Sequence, residues 1–323
     1  MTARALVTIA VVGLAGGMGL GLARAAGPEV PKTHGIVYYE PGRFGGWPAN
    51  NGAWIWGDEI LVGFSQRYFE AKDDGHSYDR EKPSKIVLAR SLHGGETWSL
   101  EDPEGFVDDG GEAVASPGGI DFAHPDFAMR LGGAEFFVSY DRGRTWKGPY
   151  ALPDFGGKEL TARTDYLVNG RDDCLLFLSA KEPRVQAGIQ DRAFAARTRD
   201  GGRTFEFLGW MSGEPITIRS VMPATARLSP THLVSALRRR LDVPISGPHK
   251  IQKMWVDAYE SRDDGKTFKR KNLSRSADRY SFVLDEGMGE PVYGHNKWPV
   301  FQVTSNRFVV VGRCKFWRGG RRR

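Results

Sequence analysis

The chain has very little cysteine, since Cys174 and Cys314 are the only two in 323 residues. Small disulfide-stapled domains need several bridges, and structural zinc sites are built from four ligands rich in cysteine. The cysteine count therefore excludes both classes. Whether the two thiols meet is left open by the sequence.

Long apolar runs are also scarce, because residues 5–23 form the only one. Arg4 precedes this run and Ala23-Arg24-Ala25 closes it, which is the pattern of a cleavable secretory signal. A membrane anchor is the alternative, since a run of this length nearly spans a bilayer. The glycines within the run and its cleavage-like end favour removal. We expect a cut after Ala25 and a secreted or periplasmic protein with no membrane span.

A basic binding face is absent from the body of the chain, although its formal charge is +6. Seven positive charges and no acid lie in residues 1–25 and 315–323, which leaves residues 26–314 at −1. This balance argues against a nucleic-acid partner. Residues 315–323 are interpreted either as a solvated basic tail or as the mark of a truncated chain.

Four eight-residue segments share one pattern, and we call them the repeat turns: residues 91–98, 139–146, 198–205 and 261–268. Each has a hydroxyl residue, an Asp (His93 in the first), a Gly, a Thr and a large aromatic residue. We expect the hydroxyl and the carboxylate to accept backbone N–H bonds in a hairpin, with the glycine at positive φ. The aromatic residue should pack between neighbouring blades of a propeller, because the spacing of 48, 59 and 63 residues suits four-stranded blades.

The repeat turns resemble the Asp-box, or BNR, repeats of the sialidase-like β-propellers. The resemblance implies an all-β fold of four-stranded antiparallel blades, six in that family, within residues 26–314. About five blades are represented here, because five segments read as starts of innermost strands: Trp47-Pro48, His124-Pro125, Arg163-Thr164-Asp165, Met222-Pro223 and Trp298-Pro299. Blades bury their faces only against neighbours, so an open ring is unexpected and truncation is favoured.

Arginines recur at these strand starts, where innermost strands converge on the axis. Arg43, Arg163 and Arg219 lie on separate blades, and residues 238–240 add three more candidates, of which we select Arg239. The rigid fork of arginine suits a carboxylate, so an acidic sugar is the expected ligand. The segment from Pro41 to Pro48 also resembles the first-blade motif whose arginine binds the carboxylate of sialic acid. Asn296 is a further candidate for substrate binding.

Acid and base candidates come from two places. The loop of residues 70–80 corresponds by resemblance to the one that supplies the sialidase acid, which implies Asp74 or Asp79, with His76 as a partner. The family's nucleophile is a tyrosine activated by a glutamate, and this chain has no close match to that motif; Tyr166 and Tyr293 are the tyrosines considered.

A second cluster is independent of the resemblance. His124, Asp126, Arg163, Asp165 and Tyr166 are all predicted near the axis, and they include the groups that a polysaccharide lyase uses. In that interpretation Arg163 neutralises a uronate carboxylate while His124 and Tyr166 act as base and acid.

Three functions follow for an acidic glycan partner. The first is an exported glycoside hydrolase of exo-α-sialidase type. The alternatives are a lyase or hydrolase of another uronate-containing glycan, and a glycan-binding propeller without catalysis. We predict a monomer, and no metal or cofactor is predicted by any spacing of residues.

Overall fold

The structure is a computed structural model that describes residues 35–72, 76–107, 111–182, 191–213, 217–244, 250–271, 300–304 and 307–311. These residues are almost entirely β-strands and turns. Within this part of the chain there is no helix with the length and apolar character that crossing a membrane requires.

The first blade has an innermost position that is divided between two strands. Its elements are β1 (Arg43–Gly46), α1 (Pro48–Asn51), β2 (Ala53–Trp56), β3 (Glu59–Tyr68), β4 (Lys85–Ser91) and β5 (Ser99–Glu101). Both β1 and β2 pair with β3, and the single helical turn α1 separates them. Trp47 has a left-handed φ of 57°, and the next residue, Pro48, is the first residue of the helical turn. A proline at the first position suits the start of a helical turn, and this turn divides the inner strand into β1 and β2.

The second blade consists of β6 (Val114–Ala115), β7 (Ala128–Gly132), β8 (Glu135–Ser139) and β9 (Lys147–Ala151), in the sheet order β6-β9-β8-β7. Strand β7 lies at the inner edge of its sheet, and backbone amides on that edge donate hydrogen bonds to residues of the third blade. Met129 N donates to Tyr166 Oη (3.1 Å), and Leu131 N donates to Thr164 Oγ1 (3.0 Å). Gly133 N donates to the carbonyl of Ala162 (3.2 Å). Unpaired buried amides are costly, so these three hydrogen bonds hold the second and third blades together.

The third and fourth blades have the regular order of four antiparallel strands. The third contains β10 (Tyr166–Val168), β11 (Cys174–Lys181), β12 (Asp191–Thr198) and β13 (Glu206–Trp210). The fourth contains β14 (Arg219–Ser229), β15 (His232–Pro244), β16 (Lys250–Ser261) and β17 (Lys269–Lys271). A bulge interrupts β14 between Val221 and Ala224, where Met222 has a φ of 56°. Bulges of this kind re-aim side chains near the axis.

The last two strands, β18 (Val300–Thr304) and β19 (Arg307–Val311), form a separate antiparallel pair. Strand β18 contacts β14 on one side and β2 on the other. The predicted all-β propeller is therefore confirmed, with four blades. The sixth blade implied by the resemblance is not found in the described part of the chain, and only this strand pair stands where a fifth is expected.

The repeat turns have the predicted geometry. In the second of them Gly143 N donates to Ser139 Oγ (2.8 Å), and Thr145 donates to Asp141 through its N (3.0 Å) and its Oγ1 (2.6 Å). The third and fourth repeat the same bonds, centred on Asp200 and Asp263. In the first turn His93 replaces the carboxylate, and Ser91 Oγ accepts bonds from His93 N (3.2 Å) and Gly95 N (2.9 Å).

The core lies between the blades, as the aromatic residues of the repeat turns predict. Trp146 is 6% exposed and packs with Trp54 and Leu61 of the first blade. Phe205 of the third blade contacts Phe136 of the second, with ring centroids 5.8 Å apart. Each blade thus buries its faces only against its neighbours, which is why propeller stability depends on these junctions.

The two faces of the propeller are distinguished by strand register. In the fourth blade Arg219 lies opposite Arg240 at one end, and Leu233 lies opposite Ser261 at the other. Ser261 begins a repeat turn, so the repeat turns define one face. We call it the repeat-turn face and the other the arginine face.

Candidate functional site

Four arginines gather on the arginine face, and we call Arg163, Arg219, Arg238 and Arg240 the arginine cluster. Arg163 precedes the inner strand of the third blade, and the other three come from β14 and β15. Two carboxylates accompany them. Arg219 donates to Asp191 Oδ2 through Nε (2.7 Å) and also through Nη2. Arg240 makes a bidentate pair with Asp242 at 2.6 and 2.7 Å.

The cluster is poorly solvated, and its charges oppose one another. Arg219 is 9% exposed and Arg238 is 6% exposed. Burial lowers the pKa of Arg238 to about 9, with Arg219, Arg240 and Arg163 contributing in the same direction. Burial also lowers the pKa of Arg163, and Asp191 offsets part of that change. Such a site favours an anion, because a bound anion relieves the repulsion.

Arg163 is held in position by the backbone and by the first blade. Its Nε donates to Asn50 Oδ1 (2.8 Å), and its Nη1 donates to the carbonyls of Thr161 (2.8 Å) and Ala162 (2.7 Å). Asn50 belongs to α1, so the interruption of the first inner strand supplies this contact. The guanidinium is therefore fixed before any ligand arrives, which reduces the entropic cost of binding.

A cavity of about 320 Å³ lies along the axis, and we call it the axial cavity. Its walls come from α1, from the inner strands of blades one, three and four, from β15 and β16 of the fourth blade, and from the segment preceding β7. Trp54, Trp56, Phe122, Phe127 and Tyr166 provide aromatic walls, and His124, Thr164, Asp165, Thr225, Arg227 and Arg238 provide polar groups. Small-molecule sites commonly combine apolar walls with a few polar groups, and this volume is near the lower end of their range.

Asp165 has the electrostatics of a proton donor. Thr225 donates to its carboxyl group through N (3.3 Å) and Oγ1 (2.8 Å). Burial raises the pKa of Asp165 to about 7, and the Thr225 bonds oppose only part of that rise. No cation pairs with Asp165 in the described part of the chain. Its carboxyl group is therefore partly protonated near neutral pH, as a general acid requires.

The predicted residues His124 and Asp126 lie at the repeat-turn face rather than beside the arginine cluster. Strand β7 begins next to the second repeat turn, with Ala128 opposite Ser139, so the residues before it are carried to that face. His124 lines the axial cavity, and its Nδ1 accepts a bond from Asp126 N (3.2 Å). That acceptor role places the proton of a neutral His124 on Nε2. Asp126 accepts from Arg142 Nε (2.6 Å) at the blade junction.

Tyr166 joins three blades. Its hydroxyl oxygen accepts bonds from Trp54 Nε1 (3.1 Å) in the first blade and from Met129 N (3.1 Å) in the second. Burial raises its pKa well above the ordinary value. The hydroxyl is therefore kept protonated by its surroundings, and the predicted catalytic role of Tyr166 remains a prediction.

Three predicted residues lie away from the arginine cluster. Arg43 pairs with Glu40 (3.5 Å) and lies 3.9 Å from the ring centroid of Tyr68. Arg239 points to the opposite side of β15 from Arg238 and donates to Tyr259 Oη (2.9 Å).

Asp79 accepts a bond from Glu81 N (2.9 Å), and this bond lowers its pKa. A carboxyl group with a lowered pKa suits a turn cap better than an acid.

Two predicted site residues, Asp74 and Asn296, lie outside the described residues, as do the predicted signal, the basic tail and Cys314. Cys174 is buried in β11. Among the described residues no three His, Cys, Asp or Glu side chains are grouped as metal ligands would be.

The chain matches no family model and no curated protein. Solved structures resemble it at low identity. A protein of unknown function from Dyadobacter fermentans matches with a TM-score of 0.46 and 14% identity, covering 73% of this chain and 70% of the other. A GH93 α-L-arabinofuranosidase of Fusarium graminearum matches with a TM-score of 0.41 and 15% identity over 68% and 64%. An α-L-arabinanase of Penicillium chrysogenum gives 0.41 and 14% over 67% and 64%. The chain thus spans less than two thirds of either hydrolase.

Proposed function

We propose that the protein is a glycoside hydrolase for an acidic sugar, in which the arginine cluster holds the carboxylate and Asp165 protonates the leaving oxygen. One observation carries the proposal: Arg238 belongs to the arginine cluster and also lines the axial cavity with Asp165. The anion-binding groups and the proton donor therefore serve one cavity. A sugar held by its carboxylate at the cluster would extend along the aromatic walls toward Asp165.

Each part has a defined task. The guanidinium forks bind the carboxylate and orient the ring, and the aromatic residues exclude water and contact the apolar faces of the sugar. The protonated fraction of Asp165, which is substantial near neutral pH, donates its proton to the glycosidic oxygen as the bond breaks. Because Nδ1 of His124 accepts the bond from Asp126 N, its Nε2 is the nitrogen that can donate a hydrogen bond to a sugar oxygen.

The narrower form of the proposal is an exported exo-α-sialidase type. It is supported by the resemblance of the repeat turns and by the arginines that converge near the axis. Export is supported by the apolar run and the cleavage-like pattern that end at Ala25.

The test is turnover of fluorogenic glycosides by the full chain. The panel contains 4-methylumbelliferyl N-acetylneuraminic acid and glucuronide, with neutral galactoside and arabinofuranoside as controls. We expect an acidic glycoside to be preferred, and we expect Arg163→Gln to raise its KM about tenfold, because a charge-assisted bond is lost. Arg171→Gln is the matched control, since Arg171 is exposed on the repeat-turn face. Preference for a neutral glycoside would refute the proposal.

A second candidate is a glycan-binding propeller without catalysis. It is favoured by one observation: among the described residues that line the axial cavity, Asp165 is the only carboxylic acid, whereas glycosidases commonly use two. Saturable binding of sialyllactose that is recovered intact, with no turnover on the panel, would establish this candidate. The lyase alternative is less favoured, because the bond from Asp126 N occupies the nitrogen that His124 would need as a base.

A further inference from the structure

A second cationic group lies on the arginine face, at the end of the first blade. Arg67 is on β3, and its guanidinium carbon is 4.5 Å from the ring centroid of Tyr78 and 5.4 Å from that of Trp47. The two rings meet at 81° with their centroids 5.4 Å apart. Phe44, which is 4% exposed, packs against both rings at 5.2 and 5.6 Å. Arg67 is thus held in a rigid aromatic corner.

Arg67 differs from its cationic neighbours in having no acidic partner. Arg43 pairs with Glu40 at 3.5 Å, and Lys82 pairs with Asp79 at 3.5 Å. In the described part of the chain Arg67 makes no ion pair, and its Nε is buried without a hydrogen-bond acceptor. The terminal nitrogens of Arg67 are not among the buried atoms and make no hydrogen bond in the described part of the chain, so an anionic ligand can accept from them.

The aromatic corner is connected to the arginine cluster through one turn. The carbonyl of Trp47 accepts a bond from Asn50 N (3.0 Å), and Asn50 Oδ1 accepts the bond from Arg163 Nε (2.8 Å). Arg67 and Arg163 therefore flank the same turn of the first blade. The left-handed conformation of Trp47 sets the direction of its ring and of this turn together.

We propose that Arg67, with Trp47 and Tyr78, forms a second anion subsite for the sugar unit adjacent to the one bound by the arginine cluster. This inference rests on the proposed function and extends it: the substrate is an acidic oligosaccharide with charged groups on neighbouring units. The guanidinium fork binds the carboxylate or sulfate of the second unit, and the aromatic rings contact its ring face.

The test is calorimetric titration of the full chain with galacturonic acid, trigalacturonic acid and a chondroitin sulfate tetrasaccharide. We expect the oligosaccharides to bind more tightly than the monosaccharide in the wild type. Arg67→Gln should weaken oligosaccharide binding about tenfold and leave the monosaccharide within about twofold, because only the second contact is lost. Trigalacturonic acid carries carboxylates only and the tetrasaccharide carries carboxylates and sulfates, so an effect of Arg67→Gln confined to the tetrasaccharide indicates a sulfate ligand.

Controls separate the subsite from the fold and from the proposed function. Arg67→Lys keeps the charge without the fork and should retain part of the oligosaccharide affinity, and Arg171→Gln should change neither probe. An Arg67→Gln protein that binds oligosaccharides as tightly as the wild type would overturn the subsite alone. If both probes weaken equally, the subsite is also refuted. If the wild type binds no acidic saccharide, the proposed function fails as well.

Discussion

The two faces of the propeller use arginine in opposite ways. On the repeat-turn face Arg90 and Arg142 share Glu59 at 2.6 and 2.8 Å, and each binds a further carboxylate, Glu101 or Asp126. The junction of blades three and four repeats the arrangement, because Arg197 and Arg227 share Asp264. In the arginine cluster of the other face, four guanidinium groups are accompanied by the carboxylates of Asp191 and Asp242.

The pKa shifts of the arginines have opposite directions on the two faces. Carboxylate bonds raise the pKa of Arg142, through Glu59 first, and of Arg197, through Asp173 first. Burial lowers the pKa of Arg163 and Arg238 on the other face. Arginines saturated with carboxylates join neighbouring blades, whereas arginines that repel one another form a candidate site for an anion. The same residue type is therefore structural on one face and a candidate for binding on the other.

The largest effect is expected at Asp165 in the axial cavity. It tests whether the protein catalyses a reaction or only binds a glycan. Asp165→Asn should lower kcat by about 10²- to 10⁴-fold, because the proton donor is removed. If Asp165 is the acid, the protonated form is the active one, so kcat/KM should be high below pH 7 and fall as the pH rises through about 7. The variant should lack this fall. The control is Asp154→Asn on an exposed turn. Full activity in Asp165→Asn would refute the acid role.

The second prediction tests the structural role of the repeat-turn face. Glu59→Gln should lower the free energy of unfolding by about 3 kcal/mol, because Arg90, only 4% exposed, loses one of its two carboxylates. Urea unfolding at neutral pH measures the change. Glu96→Gln, at an exposed position of the first repeat turn, is the matched control with almost no expected change. Equal stability of the two variants would mean that this junction does not hold the blades together.

The sequence predicts those features of the structure whose interacting residues lie close together in the chain. The repeat turns were predictable because one hydroxyl, one carboxylate and one glycine close each hairpin within eight residues. The matching strand starts of the third and fourth blades also predicted that Arg163 and Arg219 lie near each other, and the two do interact. These features need no knowledge of partners distant in the chain.

The differences between the predicted placement of the site residues and the observed one come from strand direction and from the side of the strand on which a residue lies. Arg238 and Arg239 alternate across β15, so only one of them can join the arginine cluster, and register with Arg219 was needed to choose. His124 was placed with the arginines because it precedes an inner strand, yet β7 begins at the repeat-turn face. Asp191 and Asn50 carried no motif, because their roles arise from contacts between blades.

The third prediction concerns Arg238 on the arginine face, where we expect the opposite effect on the free energy of unfolding from that of Glu59→Gln. Arg238→Met should leave the unfolding free energy unchanged or raise it by about 1 kcal/mol, because a buried guanidinium repelled by three others is replaced by an apolar side chain. The same variant should bind acidic saccharides more weakly. Thermal unfolding and calorimetric titration measure the two effects. A loss of stability as large as that of Glu59→Gln would erase the distinction between the faces.

The smallest effect is expected at the first repeat turn, which lacks the carboxylate of the other three. His93→Asp should stabilise the protein by about 0.5 kcal/mol, because an aspartate there can accept from Thr97 the same bonds that Asp141 accepts from Thr145 in the second turn. Those bonds outweigh burial and lower the pKa of Asp141. The gain should therefore be present above the pKa of an unfolded aspartate and be lost as the pH falls through the lower folded value. His93→Asn, which cannot ionise, is the control, and a gain that persists in acid would contradict the bond pattern assigned to the turn.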